Sequence, residues 1–585
     1  MFDDSEFEQN LFKLRQEKLQ EIVKLGQAAY PNQFPATHTV PEVRAQWGEA
    51  TAEVLEAPRV TVAVAGRIMA IRAQGKAGFA TLQQGGQRLQ IYIRLLPSVP
   101  HMSADQGSVS HDDRKDANAA WRAEAIAKVS GDQSAVSQLQ DEEAIRYRNN
   151  FALYKLLDMG DHIGVAGYLF RTRTGELTIH VETLTFLTKA MLALPEKFHG
   201  LADVELRYRQ RYVDLFANLE AREVFVKRAK ALKALRQFFD ERGYLEVETP
   251  MLQQIAGGAA ARPFSTHHNA LDQDLFLRIA PELNLKRLVV GGFDRVYEIN
   301  RNFRNEGVST HHNPEFTMLE FYQAYANYHD LMQITEELIA FVAKEVNGTT
   351  ITNFEGVEID LGKWTRLTMR EAIIKWWPEG PMRLSLQDFS DRNLVADVVR
   401  HLHDNPNDYR GLTPQTWTTF GQIEADLYTP SVPFGKCIAA LFEAVAEEHL
   451  IQPTIIYEFP TAVSPLSKQN PDNPDWVERF EFFCGGFELG NAFSELNDPV
   501  EQHKRFAQQL AEREGGDDEA HQMDEDYVRA LAYGLPPTGG EGIGIDRLVM
   551  LLTGSKSIRD VILFPLMRNR DQKSEIRDQG SEAPE

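Results

Sequence analysis

The residues best suited to chemistry lie in residues 301–322, RNFRNEGVSTHHNPEFTMLEFY. β-Branched and aromatic residues flank a polar loop with Asn305-Glu306-Gly307, a composition typical of a turn. We therefore expect an antiparallel hairpin with Arg304 and Glu306 near its tip. The guanidinium of Arg304 offers a planar set of donors suited to a phosphate or a carboxylate. Taken alone, the pattern also fits a solvated hairpin with a surface ion pair.

A second candidate is the stretch 479–498, RFEFFCGGFELGNAFSELND. Two runs of large apolar residues on either side of Gly485-Gly486 predict adjacent strands, and Glu481 and Glu488 are expected to face each other across that turn. Facing buried carboxylates repel each other, which favours a bound cation such as Mg²⁺ between carboxylates and phosphates. The alternative is a pair of carboxylates on a hydrated sheet face.

The third candidate is the glycine-rich stretch 539–550, GGEGIGIDRLVM. Alternating glycines let another group approach the backbone closely, and a helix is expected to begin near Asp546 as its N-cap. Arg547 would project at the start of that helix. The alternative is a glycine-rich turn into a packing helix. The sequence contains neither a Rossmann fingerprint nor a Walker-type Gly-Lys-Ser/Thr motif.

The composition limits the class of protein. At 585 residues, with 25% charged and 43% hydrophobic residues, the chain is expected to form a soluble globular protein of several domains. No run is long or apolar enough to span a bilayer, and the acidic N-terminus has no secretory pattern, so we expect a cytoplasmic protein without a membrane partner. Two cysteines fit a reducing compartment. The net charge of −23 argues against a nucleic-acid partner only as a whole-chain average.

Hydrophobic patterning predicts an α+β protein. A helical N-terminal segment precedes five short β-strands, which predict a small OB-type barrel, a frequent binder of single-stranded nucleic acid. A helix at about 221–242, which Gly243 is expected to end, and a short strand closed by Pro250 then open a large domain that alternates strands and helices. The expected bounds are a helical segment at 1–58, a barrel at 59–192 with an insertion at 101–148, a linker at 193–220, a main domain at 221–568 with a helical insertion at 353–457, and a disordered tail at 569–585. The segment 101–148 fits surface decoration or a contact with RNA or a partner, and its role stays open.

Taken together, these stretches resemble the class II aminoacyl-tRNA synthetases. Gly243 with Glu246-Val-Glu-Thr-Pro250 is similar to motif 1, Phe303-Arg304-Asn305-Glu306 to motif 2, and Gly542-Ile-Gly-Ile-Asp-Arg547 to motif 3. Further stretches at 257–268, 277–283, 286–292 and 488–498 are similar to the bacterial lysyl-tRNA synthetase family of subclass IIb. The resemblance covers nearly the whole chain, but the segment 101–148 departs from the usual family length.

The resemblance implies a fold and a reaction. The expected fold is a class II synthetase antiparallel sheet flanked by helices, preceded by the OB-type barrel and forming a homodimer through motif 1. The expected reaction uses ATP and Mg²⁺ to convert L-lysine to lysyl-adenylate, and then transfers the lysyl group to the 3′ end of tRNA(Lys).

The resemblance also implies roles for individual residues. The residues expected to be catalytic are Arg304 and Arg547. The residues expected around ATP are Arg304, Glu306, His312, Asn313, Phe316 and Arg547, with Mg²⁺ on Glu481 and Glu488. Whether Glu306 contacts adenine or another part of motif 2 stays open.

A lysine pocket must neutralise a buried ammonium, since leaving it unpaired costs several kcal/mol. The residues expected to bind lysine are Gly258, Glu282, Arg304, Glu320, Tyr322, Asn491, Phe493 and Glu495. The residues expected to contact the anticodon are Arg67, Phe79, Gln90 and Glu176.

Three other hypotheses compete with a lysine-specific tRNA ligase. An aspartate or asparagine enzyme on the same scaffold conflicts with the acidic residues Glu320 and Glu495. A shortened paralogue that lysylates a protein would lack the barrel. A catalytically inactive tRNA-binding or regulatory protein would lose phosphate or metal groups. All four of these residues are present: Arg304, Glu481, Glu488 and Arg547.

Overall fold

The computed structural model describes residues 6–56, 58–95, 133–195, 201–259, 261–411, 413–514 and 522–568. The chain divides into two compact units, Met1–Asp203 with Tyr212–Leu219 and Val204–Arg211 with Glu220–Glu585. Most of the predicted insertion at 101–148 and the whole predicted tail at 569–585 lie outside the described residues. No helix of the described ranges is long and apolar enough to cross a membrane.

The first unit contains the predicted five-stranded barrel. Its strands are β1 (Thr61–Gln74), β2 (Ala77–Gln84), β3 (Gln87–Arg94), β4 (His162–Arg171) and β5 (Leu177–Thr188). The barrel closes in the order β1-β2-β3-β5-β4, with β3 and β5 parallel and the other pairs antiparallel. Alternating residues such as Val62, Val64 and Ile91 fill its interior, which is the period-2 pattern of a half-buried strand. The prediction of the barrel is confirmed.

Helices accompany the barrel in this unit. They are Glu6–Lys24, Val40–Trp47, Ala52–Glu56, Gln133–Leu156 and Arg211–Ala217. The first helix is fixed by Arg15, whose guanidinium donates to the carbonyl oxygen of Ala190 at 2.7 Å. Beneath it the fully buried Lys189 ammonium lies 2.7 Å from the carboxylate of Asp161. This paired charge satisfies a cation that would otherwise be costly to bury.

The second unit is built on an eight-stranded sheet. Its strands and those of the smaller sheets are β6 (Leu245–Glu246), β7 (Leu252–Gln253), β8 (Ser265–His268), β9 (Gln273–Leu277), β10 (Arg295–Phe303), β11 (Glu315–Ala324), β12 (Ile351–Phe354), β13 (Val357–Asp360), β14 (Thr365–Thr368), β15 (Thr454–Pro460), β16 (Trp476–Cys484), β17 (Phe487–Ser494) and β18 (Thr538–Gly544). The large sheet has the order β14-β15-β16-β17-β18-β11-β10-β6 and is antiparallel except at its two outermost pairs. The predicted hairpin is the pair β10 and β11.

Helices flank this sheet and bury their apolar faces on it. The α-helices of the unit are Val204–Arg209, Leu219–Asp240, Glu282–Val290, Tyr328–Asn347, Met369–Trp376, Arg392–Asp404, Pro414–Leu427, Phe434–Val445, Pro499–Glu514, Glu525–Ala532, Ile545–Thr553 and Ile558–Val561. The helix Tyr328–Asn347 has a capping box at Asn327 and ends at Gly348, whose φ is 74°. Its buried face, with Leu338, Ile339 and Val342, joins the main core of the sheet.

Two predicted elements differ from the structure. The expected strand after Gly243 shortens to Leu245–Glu246, because after Val247 the chain leaves the sheet toward Pro250. The segment 353–457 is helical only from Met369, since β12 and β13 form a hairpin before it and β14 then pairs in the large sheet. The hairpin turn places Glu355 and Gly356 at φ values of 52° and 87°, which a glycine in the second position accommodates.

Candidate functional site

A cavity of about 560 Å³ lies on the large sheet of the second unit and brings the three candidate stretches together. The strands β11, β17 and β18 are neighbours in this sheet, so stretches far apart in sequence contribute side chains to one face. The predicted residues that line it are Gly258, Glu282, Arg304, Glu306, His312, Asn313, Phe316, Glu320, Tyr322, Glu481, Glu488, Asn491, Phe493 and Arg547. Glu495 lies behind this lining and is almost completely buried.

The tip of the β10–β11 hairpin presents an anion-binding group. The Arg304 guanidinium lies 5.1 Å from the centroid of the Phe316 ring, and its backbone N–H donates to Pro314. Its Nε is buried and has no hydrogen-bond partner in the described part of the chain. A positioned, unsatisfied guanidinium donor in a cavity is suited to a phosphate or carboxylate oxygen. Glu306 is exposed in the adjoining loop.

Arg547 forms the opposite side of this part of the cavity. Its Nη1 donates to the carbonyl oxygen of Glu488 at 2.7 Å, and its Nη2 lies 2.9 Å from Nε2 of His312. Burial, with the nearby Arg547 charge, lowers the pKa of His312, so its imidazole is neutral and can accept from Arg547. Asn313 is fixed by its side-chain amide, which donates to the carbonyl oxygen of Glu315 at 2.6 Å.

The prediction that Asp546 caps a helix is wrong. The helix is Ile545–Thr553, and its N-cap is Gly544. Asp546 instead accepts from the backbone N–H of Thr317 at 2.7 Å and from Arg228 at 2.6 Å. A buried carboxylate in the first turn is favoured by the helix dipole, but here the tertiary partners take both of its oxygens. Asp546 therefore ties the motif that carries Arg547 to the strand that carries Phe316.

Glu481 and Glu488 do not form the predicted facing pair. A register shift in the β16–β17 ladder places Glu481 opposite Asn491 and Glu488 opposite Phe483. Each carboxylate is next to an arginine, Glu481 at 2.5 Å from Arg479 and Glu488 at 3.3 Å from Arg547. Burial, opposed by Arg479 and aided by the Glu488 charge, raises the pKa of Glu481 to about 8.

These two carboxylates match the protein contribution that Mg²⁺ usually receives when phosphates supply the other ligands. The described residues contain no group of three or more His, Cys, Asp or Glu side chains that could hold a metal by themselves. The donor set therefore fits an ion shared with a phosphorylated substrate.

The floor of the cavity is made of glycine. A side chain at Gly540 would overlap Oε1 of Glu495 and the ring of Tyr322, and one at Gly542 would lie 2.7 Å from Cε of Met318. Because β18 lacks side chains at these positions, carboxylates and a phenol from neighbouring strands can lie flat over it. This is the close approach that the glycine alternation predicts.

One end of the cavity is strongly acidic. Glu320 is almost completely buried and accepts from the hydroxyl of Tyr322 at 3.2 Å. Burial, together with the Glu282 charge, raises the pKa of Glu320 to about 8. Its cross-strand neighbour Glu298 already has a partner, Arg278, at 2.7 Å. Glu320 thus has no cationic partner within hydrogen-bond reach among the described residues and is suited to an ammonium group.

Glu282 and Glu495 share a partner that the sequence interpretation missed. The ammonium of Lys286 lies 2.5 Å from Oε1 of Glu282 and also pairs with Glu495. Lys286 follows Glu282 by four residues in one helix, so the spacing alone could have indicated the first contact. The second contact joins Glu495, which follows β17 in the chain, to the same helix. Glu495 is far from Lys286 in sequence, so no local pattern predicts this contact.

Arg479 is a second residue that the sequence interpretation missed. Its guanidinium donates to Oδ1 of Asn491 at 3.0 Å and to Oγ of Ser464 at 2.9 Å, besides its contact with Glu481. It thereby orients the side-chain amide of Asn491 at the cavity. Arg479 and Glu481 are two residues apart on β16, so the strand period places them on one face.

The barrel of the first unit carries a separate group of predicted residues. Phe79 and Gln90 lie on adjacent strands, Phe79 opposite Tyr92 and Gln90 opposite Thr81. Glu176 pairs with Arg44 at 2.8 Å. Arg67 is held elsewhere, with its guanidinium 4.4 Å from the ring centroid of Phe216.

The strand register of the barrel points to a different arginine near Phe79. Arg72 is the cross-strand partner of Phe79 and is exposed, whereas Arg67 pairs with Gln83. The bulge between Ile68 and Ala70 puts both arginines on the face of the sheet that carries Phe79, because their partners Gln83 and Phe79 are four residues apart on β2, and sequence alternation cannot show this.

Known proteins are similar in sequence to both units of the chain. Residues 203–568 match the family described as tRNA synthetases class II (D, K and N). A protein of Moorella thermoacetica named Lysine--tRNA ligase is 47% identical over 568 residues, 97% of this chain and 99% of its own length. Proteins of the same name from Escherichia coli K12 and Carboxydothermus hydrogenoformans are 48% and 47% identical, over 96% of this chain and 96% and 98% of their own lengths.

Proposed function

We infer that this chain, which belongs to the class II tRNA synthetases (D, K and N), is a lysine--tRNA ligase. It activates L-lysine with ATP and transfers the lysyl group to tRNA. The observation that carries the substrate assignment is the cavity itself, which has an unsatisfied arginine donor at one end and buried carboxylates at the other. A zwitterion with a second ammonium group fits this order of charges. An aspartate or asparagine substrate would instead require a cationic or amide partner at the acidic end.

The first step needs positioning more than covalent chemistry. The lysine carboxylate attacks the α-phosphorus of ATP, an oxygen–phosphorus bond forms, and pyrophosphate leaves. The nucleophile is already ionised, so no general base is required. The enzyme must hold two anions together and balance the charge that develops between them. We propose Arg304 for the α-phosphate and the lysine carboxylate, and Arg547, His312, Asn313 and Phe316 for the nucleotide.

We propose Glu481 and Glu488 as the residues that hold Mg²⁺. The ion would neutralise the phosphate charge of bound ATP. The arginine contacts of the two carboxylates would be exchanged for the ion and the phosphates as ATP enters. Arg547 would then be free to contact the nucleotide.

The lysine substrate is placed by the acidic end of the cavity. We propose that Glu320 and Tyr322, with Glu495 behind them, receive the side-chain ammonium, and that Glu282 and the backbone at Gly258 receive the α-ammonium. Phe493 packs on the aliphatic stem, and Asn491, held by Arg479, assists with the carboxylate. In the second step the 3′-terminal hydroxyl of tRNA attacks the adenylate carbonyl, and AMP leaves.

We propose further that the barrel binds the anticodon of tRNA(Lys). Phe79 offers a ring for stacking, and Gln90 offers its amide donors, since its Oε1 already accepts from Thr178 at 2.9 Å. Arg72, the cross-strand partner of Phe79, adds a cation beside that ring, and we propose Arg67 and Glu176 as further contacts to the anticodon.

The assembly is proposed to be a homodimer that acts in the cytoplasm. Leu245 and Leu252, on either side of the motif 1 stretch, are 47% and 48% exposed, a pattern that suits a partner surface. Both cysteines are buried free thiols, which is consistent with a reducing compartment.

The decisive experiment is amino-acid-dependent ATP–pyrophosphate exchange, with each of the twenty amino acids, with and without Mg²⁺. We expect exchange with lysine only, and loss of exchange in Arg304→Ala. Exchange driven by aspartate or asparagine would show that the acidic end has been misassigned. Folded protein that gives no exchange with any amino acid would point to the tRNA-binding or regulatory alternative.

A further inference from the structure

Lys286 is a fully buried cation at the acidic end of the cavity, and the mechanism above does not use it. It lies on the helix Glu282–Val290, one turn after Glu282. Its ammonium is 2.5 Å from Oε1 of Glu282, pairs with Oε2 of Glu495, and lies 5.3 Å from the centroid of the Phe493 ring. Three residues expected to bind lysine therefore surround one side chain that no substrate can reach directly.

Lys286 contacts Oε1 of Glu282 and Oε2 of Glu495. The other oxygen of Glu282, Oε2, lies 3.7 Å from the place of a side-chain Cβ at Gly258, a residue of the cavity lining. The other oxygen of Glu495, Oε1, lies over Gly540, on the side of the sheet that carries the cavity. Lys286 thus fixes the rotation of both carboxylates and leaves one oxygen of each on the cavity side.

The charges at this end of the cavity balance only when Lys286 is counted. Glu282, Glu320 and Glu495 carry three negative charges when ionised, and Lys286 supplies one positive charge. The remaining two negative charges balance the two positive charges of the ammonium groups of bound lysine. The lysine carboxylate is bound by Arg304 at the other end of the cavity. Without Lys286 one buried carboxylate would have no counter-ion, and such groups take up a proton instead.

Glu282, Glu495 and Tyr527 face Lys286 and keep it charged. The groups next to the two carboxylates are Glu320, Tyr322 and Arg479. Burial opposes the charge, but the attraction of Glu282 and Glu495 outweighs it and raises the pKa of the Lys286 ammonium well above its usual value. The ammonium is therefore a permanent part of the pocket rather than a proton donor.

We propose that Lys286 is a positioning residue for lysine selection, which pairs with Glu282 and Glu495 and orients their carboxylates toward the two ammonium groups of the substrate. This inference rests on the proposed lysine-binding role of the cavity. Lys286 itself touches neither substrate, so its removal should affect lysine and leave ATP binding almost unchanged.

The test compares Lys286→Met, Lys286→Arg and, as a matched control, Lys344→Met on an exposed helix face. We expect kcat/KM for lysine in pyrophosphate exchange to fall on the order of 100-fold in K286M, with the KM for ATP changed by less than about threefold. K286R keeps the cation and should recover at least about tenfold of the loss, and K344M should match the wild type. Equal losses in K286M and K286R, or equal changes in both KM values, would overturn the inference.

A double-mutant cycle with Glu495→Gln separates charge compensation from helix packing. In the E495Q background only one carboxylate still needs Lys286, so K286M should cost several-fold less than in the wild type. The double variant also leaves fewer uncompensated charges, so it provides a result even when K286M alone does not fold. An identical cost in both backgrounds would refute the role of Lys286 toward Glu495. The wild type serves as the internal reference, because wild-type protein without lysine-dependent exchange would reject the proposed function and not this inference.

Discussion

Replacing Glu320 with glutamine should remove lysine recognition and its pH dependence together. Glu320→Gln keeps the size of the side chain and its contact with Tyr322 but removes the carboxylate that lies at 4% exposure in the acidic end. Breaking a buried ion pair by removing one partner costs about 3–5 kcal/mol. In the wild type the free energy gained when Glu320 pairs with the substrate ammonium is smaller than this. The pKa of Glu320 is raised to about 8, so the carboxyl group must lose a proton before it can pair.

The size of the effect follows from these two terms. At pH 7 the proton costs about 1.4 kcal/mol, since one pKa unit corresponds to that free energy. The middle of the range for breaking a buried ion pair is about 4 kcal/mol, so about 2.6 kcal/mol remains after the proton is lost. This corresponds to a loss on the order of 100-fold in kcat/KM for lysine. Below pH 8 the empty wild-type pocket is mostly protonated at Glu320, so wild-type kcat/KM should fall up to about tenfold for each unit of acidification. E320Q has no carboxyl group at this position, so its kcat/KM for lysine should vary less with pH than that of the wild type.

The assay is pyrophosphate exchange with lysine as the varied substrate, at pH 6, 7 and 8 and saturating ATP. Glu345→Gln, an exposed carboxylate in the helix Tyr328–Asn347, is the matched control and should behave as the wild type at every pH. The reasoning fails when E320Q loses less than about threefold at pH 7, since a buried pair is worth far more. It also fails when E320Q keeps the wild-type slope between pH 6 and 8, because another group would then control the titration.

Three further predictions address the floor of the cavity, the metal and the barrel. Gly540→Ala would place a methyl group on Glu495 and Tyr322, so we expect a loss of about 1–3 kcal/mol in lysine binding, seen by calorimetry as a raised Kd for lysine in folded protein. Chelation of Mg²⁺ should abolish exchange but leave the thermal shift caused by lysine intact, and a lost shift would place the ion in the lysine pocket instead. Phe79→Ala should remove about 1–3 kcal/mol of stacking free energy and lower kcat/KM for tRNA charging by the corresponding factor, without altering pyrophosphate exchange. An equal effect on both reactions would assign Phe79 to the barrel fold alone.

Much of the architecture was open to prediction because its signals are local. The period-2 runs of the barrel, the hairpin around Asn305-Glu306-Gly307 and the helix Leu219–Asp240, which stops just before Gly243 at a φ of 74°, each depend on neighbours in sequence, and the structure contains all three. Where prediction failed, a neighbour distant in sequence decided the outcome. Asp546 sits where a cap is expected, yet Thr317 and Arg228 take its carboxylate.

The amino-acid sequence by itself determined which chemical groups are available: the two arginines, the carboxylates and the glycines of the cavity, each in a recognisable local pattern. Only the tertiary structure decided how these groups are paired. The shift in the β16–β17 ladder pairs Glu481 with Asn491. The bulge in β1 shifts the register by one residue and so puts Arg67 and Arg72 opposite Gln83 and Phe79, on one face of the sheet. Such shifts reverse the face of a side chain, because strands alternate with period two. The pairing of Lys286 with Glu495 likewise depends on strand order, which brings together residues more than two hundred positions apart.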